Sequence, residues 1–275
     1  RLLALAKNGH TRLIPNDAIS VLPVRFVAIG DDVFVTQTPT GRTAMSRNKL
    51  LSVNGVPIEN TLRAMEHYLG GTPQRKRVIG PLLLAWPYAL AHLGLASNRS
   101  DTSYRIVGGD ETEHDMVLNH DTIVPALDLY PRNEHGKPDA NWVPDRFVDV
   151  KNWGTLGLSI CLRSFFDPDG TTLPKEIIVA ANHVKSNPDR PILIDLRGNT
   201  GGNFLLTLPL IAALTEHAHN NPVAVLVDKF TFSAAIVFVA ILKHHMKTGL
   251  KVIGEEMGDR LTFFAEGGTV ELPAS

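Results

Sequence analysis

The chain has 275 residues, of which 44% are hydrophobic and 20% charged, and its net charge is −1 at neutral pH. That balance excludes wholesale disorder, a collagen-like repeat and a coiled coil, and the length is enough to bury a sizeable core in one large or two modest domains. No basic excess offers the surface that phosphate neutralisation needs, so no nucleic-acid partner is expected. Cys161 is the only cysteine, which excludes an intrachain disulfide framework and a cysteine-based zinc site.

The opening Arg1-Leu2-Leu3-Ala4-Leu5-Ala6 is too short for the apolar region and cleavage site of a signal peptide. It reads as the end of a helix, stopped by Asn8-Gly9. Together with an end at Pro273-Ala274-Ser275 that closes no element, this reads as a segment of a longer protein. His10 to Pro15 starts an extended piece. Val21–Val27 and Asp32–Gln37 are β-rich runs flanking Gly30-Asp31, a hairpin signal. Lys49 to Ile58 reads as two short strands around Asn54-Gly55, the pair preferred where both turn positions need positive φ. Residues 60–69 and 80–96 have helical spacing of apolar residues. Residues 108–115 and 131–146, rich in Gly, Pro, Asn and Asp, read as loops.

From residue 147 the texture changes. Strands are expected at Leu156–Leu162, Pro191–Leu196, Val223–Val227 and Lys251–Gly254. They alternate with helices at Lys175–Ser186, Leu205–His217 and Ser233–His245. Such alternation predicts an α/β fold of right-handed βαβ units around a mostly parallel sheet. The longest apolar stretch, Val223 to Leu242, is interrupted by Asp228 and Lys229. A membrane-spanning helix needs about 20 predominantly apolar residues, so this stretch reads as a buried strand followed by a buried helix.

Two places on this frame can carry chemistry. The first is Ile194-Asp195-Leu196-Arg197-Gly198-Asn199-Thr200-Gly201-Gly202-Asn203, a buried strand running into a glycine-rich turn before a helix. Backbone N–H groups in such a turn can hold an anion or an oxyanion. The turn lacks the Gly-Lys-Ser/Thr of a phosphate loop, and its glycine spacing does not fit the dinucleotide fingerprint. The second is Phe230-Thr231-Phe232-Ser233-Ala234-Ala235, where a strand runs toward a helix. A serine at that junction can be presented for reaction, with the amide of the next residue facing a developing oxyanion. It can equally be the N-cap of its helix, and the two readings are compatible. His10, in Asn8-Gly9-His10-Thr11, is one of 11 histidines. His244 and His245 are adjacent on a predicted helix and make a poor ligand pair. His114, Asp115, His120 and Asp121 lack the spacing of a helical metal site and read as a solvated loop, so no metal is proposed.

These segments, in this order, resemble the C-terminal-processing (tail-specific) serine proteases. Asp195-Leu196-Arg197-Gly198-Asn199-Thr200-Gly201-Gly202 resembles the D-L-R-x-N-x-G-G signature of that family, and Thr231-Phe232-Ser233-Ala234-Ala235 resembles the segment carrying its nucleophile. Val252-Ile253-Gly254-Glu255 is similar to the V-G-E strand that follows, and Lys49 to Ile58 to a stretch of a PDZ-like domain. Asn8-Gly9-His10-Thr11 is similar to the aspartate-glycine-histidine-threonine box of the subgroup that uses a histidine, related to the tricorn core peptidase and a chlamydial secreted protease.

The departures are informative. Where processing proteases carry a general-base lysine, the chain reads Glu255-Glu256-Met257-Gly258-Asp259-Arg260. A guanidinium at Arg260 stays protonated and cannot serve as base. Ile236 stands where many relatives have an acidic residue, and Asn8 replaces the usual aspartate. The resemblance therefore implies the subgroup that lacks the lysine: Ser233 as nucleophile, His10 as base and then acid, and a carboxylate holding the imidazole. Glu255, Glu256 and Asp259 are the nominees within the chain, Glu255 first, and an acid beyond residue 275 is the alternative. The amides of Gly201 and Ala234 would form the oxyanion hole, with Gly202 and Asn199 on the substrate side. No cofactor is needed, and the partner is a polypeptide substrate.

The fold implied is a ClpP/crotonase-like core with a PDZ-like β-rich N-terminal domain. It divides the chain into a segment 1–15 packing on the core, a degenerate PDZ-like and helical domain 16–115, and a catalytic core 116–275. The PDZ-like region would capture an extended peptide by strand addition. An extracytoplasmic location is implied by the family alone. Two rival readings remain: a catalytically inactive peptide- or ligand-binding module on the same scaffold, and an enoyl-CoA-hydratase-like enzyme. Covalent labelling of Ser233 discriminates the first, and affinity for a coenzyme A thioester the second.

Overall fold

The computed structural model of the chain describes all residues except 12–18, 39–40, 43–47, 96–99, 127–145, 220, 266–267 and 269–275. The chain divides into two units, one comprising Arg1–Ala126 with Thr262–Ser275 and the other Leu127–Leu261.

The first unit opens with one 3-10 turn, Leu3–Ala6, which ends at Lys7 in the left-handed conformation (φ 50°). The extended piece expected after His10 lies largely outside the described residues. The strands that follow are β1 (Ser20–Val21), β2 (Arg25–Ile29), β3 (Asp32–Thr38), β4 (Gly41–Arg42), β5 (Lys49–Val53) and β6 (Val56–Pro57). Helices α1 (Ile58–Glu66), α2 (Pro73–Leu83) and α3 (Pro87–His92) come next, then β7 (Asp101–Val107), β8 (Glu113–Asn119) and β9 (Val124–Pro125). An antiparallel sheet runs β2-β3-β5-β7-β8, with β4 on β3 and β6 on β5, while β1 pairs separately with β9. Alternating inward residues build its core: Phe26 and Ala28 from β2, Val33 and Val35 from β3, Tyr104 and Ile106 from β7. This is the period of two that a half-buried strand demands.

Both expected turns form. Gly30 has φ 59°, and Asn54 and Gly55 have φ 49° and 80°, the paired positive values of a tight hairpin. Other expectations change. The run Val21–Val27 is split, because Pro23 has no N–H to offer a ladder and β1 turns to β9 instead of continuing into β2. The helix expected over 80–96 is broken at Trp86, which is extended (φ −101°, ψ 103°) because Pro87 follows it. Only Gly108–Thr112 of the expected loop 108–115 is a turn; His114 and Asp115 lie in β8, which pairs along its length with β7. The division expected at 115/116 therefore falls inside a strand, and the chain divides after Ala126.

In the second unit, β10 (Val148–Asn152) and β11 (Leu158–Leu162) are followed by α4 (Thr172–Lys185), β12 (Ile192–Asp195), α5 (Leu208–His217), β13 (Val223–Val227), α6 (Ala234–Met246) and β14 (Leu250–Gly254). The sheet order is β10-β11-β12-β13-β14. Strands β11 to β14 are parallel neighbours, and β10 joins the edge antiparallel. A parallel pair cannot close with a tight turn, so each connection carries a helix back to the start of the sheet. The inward residues Ile160, Leu162, Ile194, Val225, Ile177, Leu214, Phe238 and Leu242 are buried in one cluster. The mixed α/β architecture and the mostly parallel sheet agree with the sequence reading, and β7, β8, β9 and β10 are strands the sequence reading does not give. Among the described residues no helix is long and apolar enough to cross a membrane; Val223 to Leu242 forms β13 and most of α6.

Candidate active site

The parallel sheet fixes where chemistry can be placed, because the turns leaving β12 and β13 emerge side by side at the same sheet edge. After β12 the glycine turn needs backbone that only glycine adopts easily: Gly198, Gly201 and Gly202 have φ 78°, 106° and 129°. Gly202 bridges Phe165, and any Cβ there would overlap the Phe165 carbonyl group. Phe165 N–H donates to the Gly201 carbonyl (2.9 Å) and Asn203 N–H to the Phe165 carbonyl (2.8 Å). The N–H and C=O of Gly202 itself therefore point away from Phe165, on the exposed side of the turn.

Asn199 is fully buried. Its Nδ2 donates to the Leu162 carbonyl (3.0 Å) and its Oδ1 accepts from Gly201 N–H (2.9 Å). Two expectations are corrected by these bonds. Asn199 does not face a substrate; it braces the turn against β11 from inside. The Gly201 N–H is already committed to Asn199, so it is not available as an oxyanion donor in this arrangement.

After β13, the loop Asp228–Phe232 is organised by the Asp228 carboxylate. Oδ1 accepts from Phe230 N–H (3.0 Å) and Thr231 N–H (2.9 Å), the local pattern of an Asx turn. The same carboxylate reaches across to Gly198 N–H (3.0 and 3.1 Å). Thr231, fully buried, donates from Oγ1 to the Leu196 carbonyl (3.0 Å), and Phe232 N–H donates to the Asn199 carbonyl (3.0 Å). The glycine turn and the serine loop are thus stitched together by main-chain and side-chain bonds.

Ser233 is the outcome of that stitching. It has φ 55° and ψ −124° and makes no capping bond to its own helix. An N-cap has extended backbone and a side chain that accepts from the second or third helical N–H; Ser233 has neither. A non-glycine residue at positive φ is strained by about 1–3 kcal/mol, and a strained strand-to-helix turn is what exposes a nucleophilic serine in α/β hydrolases. Gly201 lies directly against it: a Cβ on Gly201 would stand 2.7 Å from Ser233 Cβ and 2.9 Å from the Ala234 nitrogen. Ala234 is the first residue of α6, so its N–H has no acceptor within the helix.

The segment after β14 bonds this loop through Glu255 and Gly258. Glu255 Oε2 accepts from Lys229 N–H (3.3 Å) and lies 3.6 Å from Lys229 Nζ, an ammonium that is itself largely buried. Glu255 is therefore paired with Lys229. Gly258 N–H donates to the Thr231 carbonyl (2.9 Å), and Asp259 is buried with Oδ1 accepting from Arg260 N–H (2.9 Å).

The histidine box belongs to the first unit. Asn8 is buried; its Nδ2 donates to Thr11 Oγ1 (2.9 Å) and to the Phe264 carbonyl (2.8 Å). Gly70 packs so closely that a Cβ would stand 2.6 Å from the Asn8 carbonyl oxygen. The His10 ring stacks on Phe263, with centroids 4.7 Å apart and planes at 26°. The sequence gives Asp228, Lys229 and Thr231 no role at the site and does not mark Phe263 at all. The Asp-x-x-Thr spacing of an Asx turn was there to be read; nothing local marks Phe263.

The mixed α/β fold that carries this site is shared with solved structures. The chain has the fold of mature CPAF: TM-score 0.52 and 14% identity over 86% of this chain and 68% of that one. The photosystem II D1 C-terminal processing protease is also similar, at TM-score 0.36 and 14% identity, covering 87% of this chain and 61% of that chain. No family model and no curated protein sequence matches the chain.

Proposed function

We propose that the chain is a serine endopeptidase of the C-terminal-processing type, in the subgroup that uses a histidine. Unit Leu127–Leu261 would be its ClpP/crotonase-like core, and the antiparallel sheet of the first unit its PDZ-like part. One observation carries the reading: Ser233 is held at φ 55°, ψ −124° between β13 and α6, against Gly201. The CPAF fold supports it, since CPAF is a chlamydial secreted protease, and an extracytoplasmic location goes with it.

In this reading Ser233 Oγ attacks a peptide carbonyl and His10 takes its proton, then returns it to the leaving amine. The tetrahedral oxyanion accepts from Ala234 N–H and from the outward N–H of Gly202. Losing one such donor costs about 2.7–4 kcal/mol of transition-state stabilisation. Water then hydrolyses the acyl-enzyme, with His10 as base. The test is covalent labelling with a fluorophosphonate and hydrolysis of an unstructured polypeptide. Wild type is expected to label and cleave, Ser233→Ala to do neither, and His10→Ala to lose most of both. Equal labelling of Ser233→Ala removes Ser233 as nucleophile. A folded wild-type chain that never labels is a binding scaffold.

A further inference from the structure

One continuous run, residues 258–264, is anchored at both ends. At its start, Gly258 N–H donates to the carbonyl of Thr231, two residues before Ser233, and no Cβ fits there because Lys229 O occupies the space. Asp259 is buried beside it. At its end, Phe263 lies face to face on the His10 ring, and the Phe264 carbonyl takes the Asn8 amide. Phe264 is 86% exposed, so that residue is held through its main-chain carbonyl. Phe263 and Phe264 therefore hold the histidine box, one through its ring and the other through its carbonyl.

We propose that Phe263 is a positioning residue for His10. The inference rests on the protease reading. An imidazole works as a base only within hydrogen-bond reach of the proton it takes, and a small misplacement lowers the rate steeply. A flat ring against one face of His10 restricts its rotation about Cβ–Cγ. Phe263 acts through the histidine, so it should affect turnover and leave substrate affinity alone.

The experiment uses the full chain with Phe263→Ala, Phe263→Tyr and Phe263→Leu. Two readouts are needed: kcat and KM on an unstructured polypeptide, and the His10 Hε1 resonance in a proton–carbon correlation spectrum. In wild type the Phe263 ring current should move that resonance upfield. Phe263→Ala is expected to return it downfield and to lower kcat about tenfold with KM unchanged, while Phe263→Tyr restores both. Should the alanine variant not fold, Phe263→Leu fills the space without an aromatic face and is expected to behave as alanine does. An unshifted wild-type resonance, or a kcat kept within about twofold in the variants without a ring, overturns the proposal. If the resonance behaves as expected but wild type never labels at Ser233, the stack stands, the protease reading fails, and Phe263 has no base to position.

Discussion

Gly201 and Ser233 share a space that admits only one side chain. A Cβ on Gly201 would lie 2.7 Å from Ser233 Cβ, and Gly201 already has φ 106°, which L-residues rarely adopt. Gly201→Ala must therefore displace the serine loop or strain the turn. The backbone conformation alone predicts a loss of about 1–3 kcal/mol. Thermal melting and fluorophosphonate labelling should both report it, with labelling lost even where the protein remains folded. A Gly201→Ala protein that melts and labels as wild type does would show the two loops to be independent.

Ser233 allows a cleaner separation of strain from chemistry. At φ 55° and ψ −124° a Cβ is disfavoured, so Ser233→Ala removes the hydroxyl and keeps the strain, while Ser233→Gly removes both. The glycine variant should be the more stable of the two by about 1 kcal/mol, contrary to the usual penalty of glycine near a helix start. Side-by-side melting curves decide the sign.

Asp228 holds both loops, accepting from Gly198, Phe230 and Thr231. Asp228→Ala leaves part-buried donors without a partner, at roughly 1–3 kcal/mol each where water cannot reach. Asp228→Asn keeps one acceptor oxygen for Phe230 and Thr231 and weakens only the link to Gly198. The expected order of stability, and of Ser233 labelling rate, is wild type, asparagine, alanine. Equal rates in all three would show that the carboxylate does not set the serine loop.

The Arg197 guanidinium bonds Asp195 at 2.9 and 2.7 Å and holds its carboxyl below the usual carboxylate range, with partial burial opposing. A lowered folded-state pKa contributes stability above the unfolded value, near 3.9, and that contribution is lost as pH falls through the folded value. Arg197→Met should therefore melt lower than wild type at pH 7, with the two curves converging below about pH 4. The difference should be modest, since pairs open to solvent are worth about 0–1 kcal/mol, and added salt should shrink it.

Asn8 is buried and works as a donor through its amide. Nδ2 donates to the Phe264 carbonyl, which a carboxylate cannot do. Asn8→Asp sets an anion against that oxygen and should destabilise the protein by roughly 1–3 kcal/mol at pH 7. Part of the loss should return in acid, where a protonated carboxyl can donate. A pH series of melts on Asn8→Asp checks it.

How much of this could be read along the chain follows from how local each signal is. Asn54-Gly55 makes its hairpin because both residues accept positive φ, whatever surrounds them. Strands β11 to β14 and the helices between them follow from apolar period and length. Trp86 and Pro23 were equally local signals, and proline chemistry explains both places where the expected elements broke.

Ser233 illustrates the boundary. Its place between strand and helix is legible, but an N-cap and an elbow serine share the same residue type at the same position. They differ in φ, which depends on Thr231 and Phe232 being tied to Leu196 and Asn199. Asn199 looks like a polar residue on an exposed turn until β11 closes over it. Phe263 on His10, and Glu255 on Lys229, join residues that share no local pattern. Elements and turns are written in short-range sterics and period. Which groups inside them are buried, committed or strained is settled only when distant segments compete for the same space and the same hydrogen bonds.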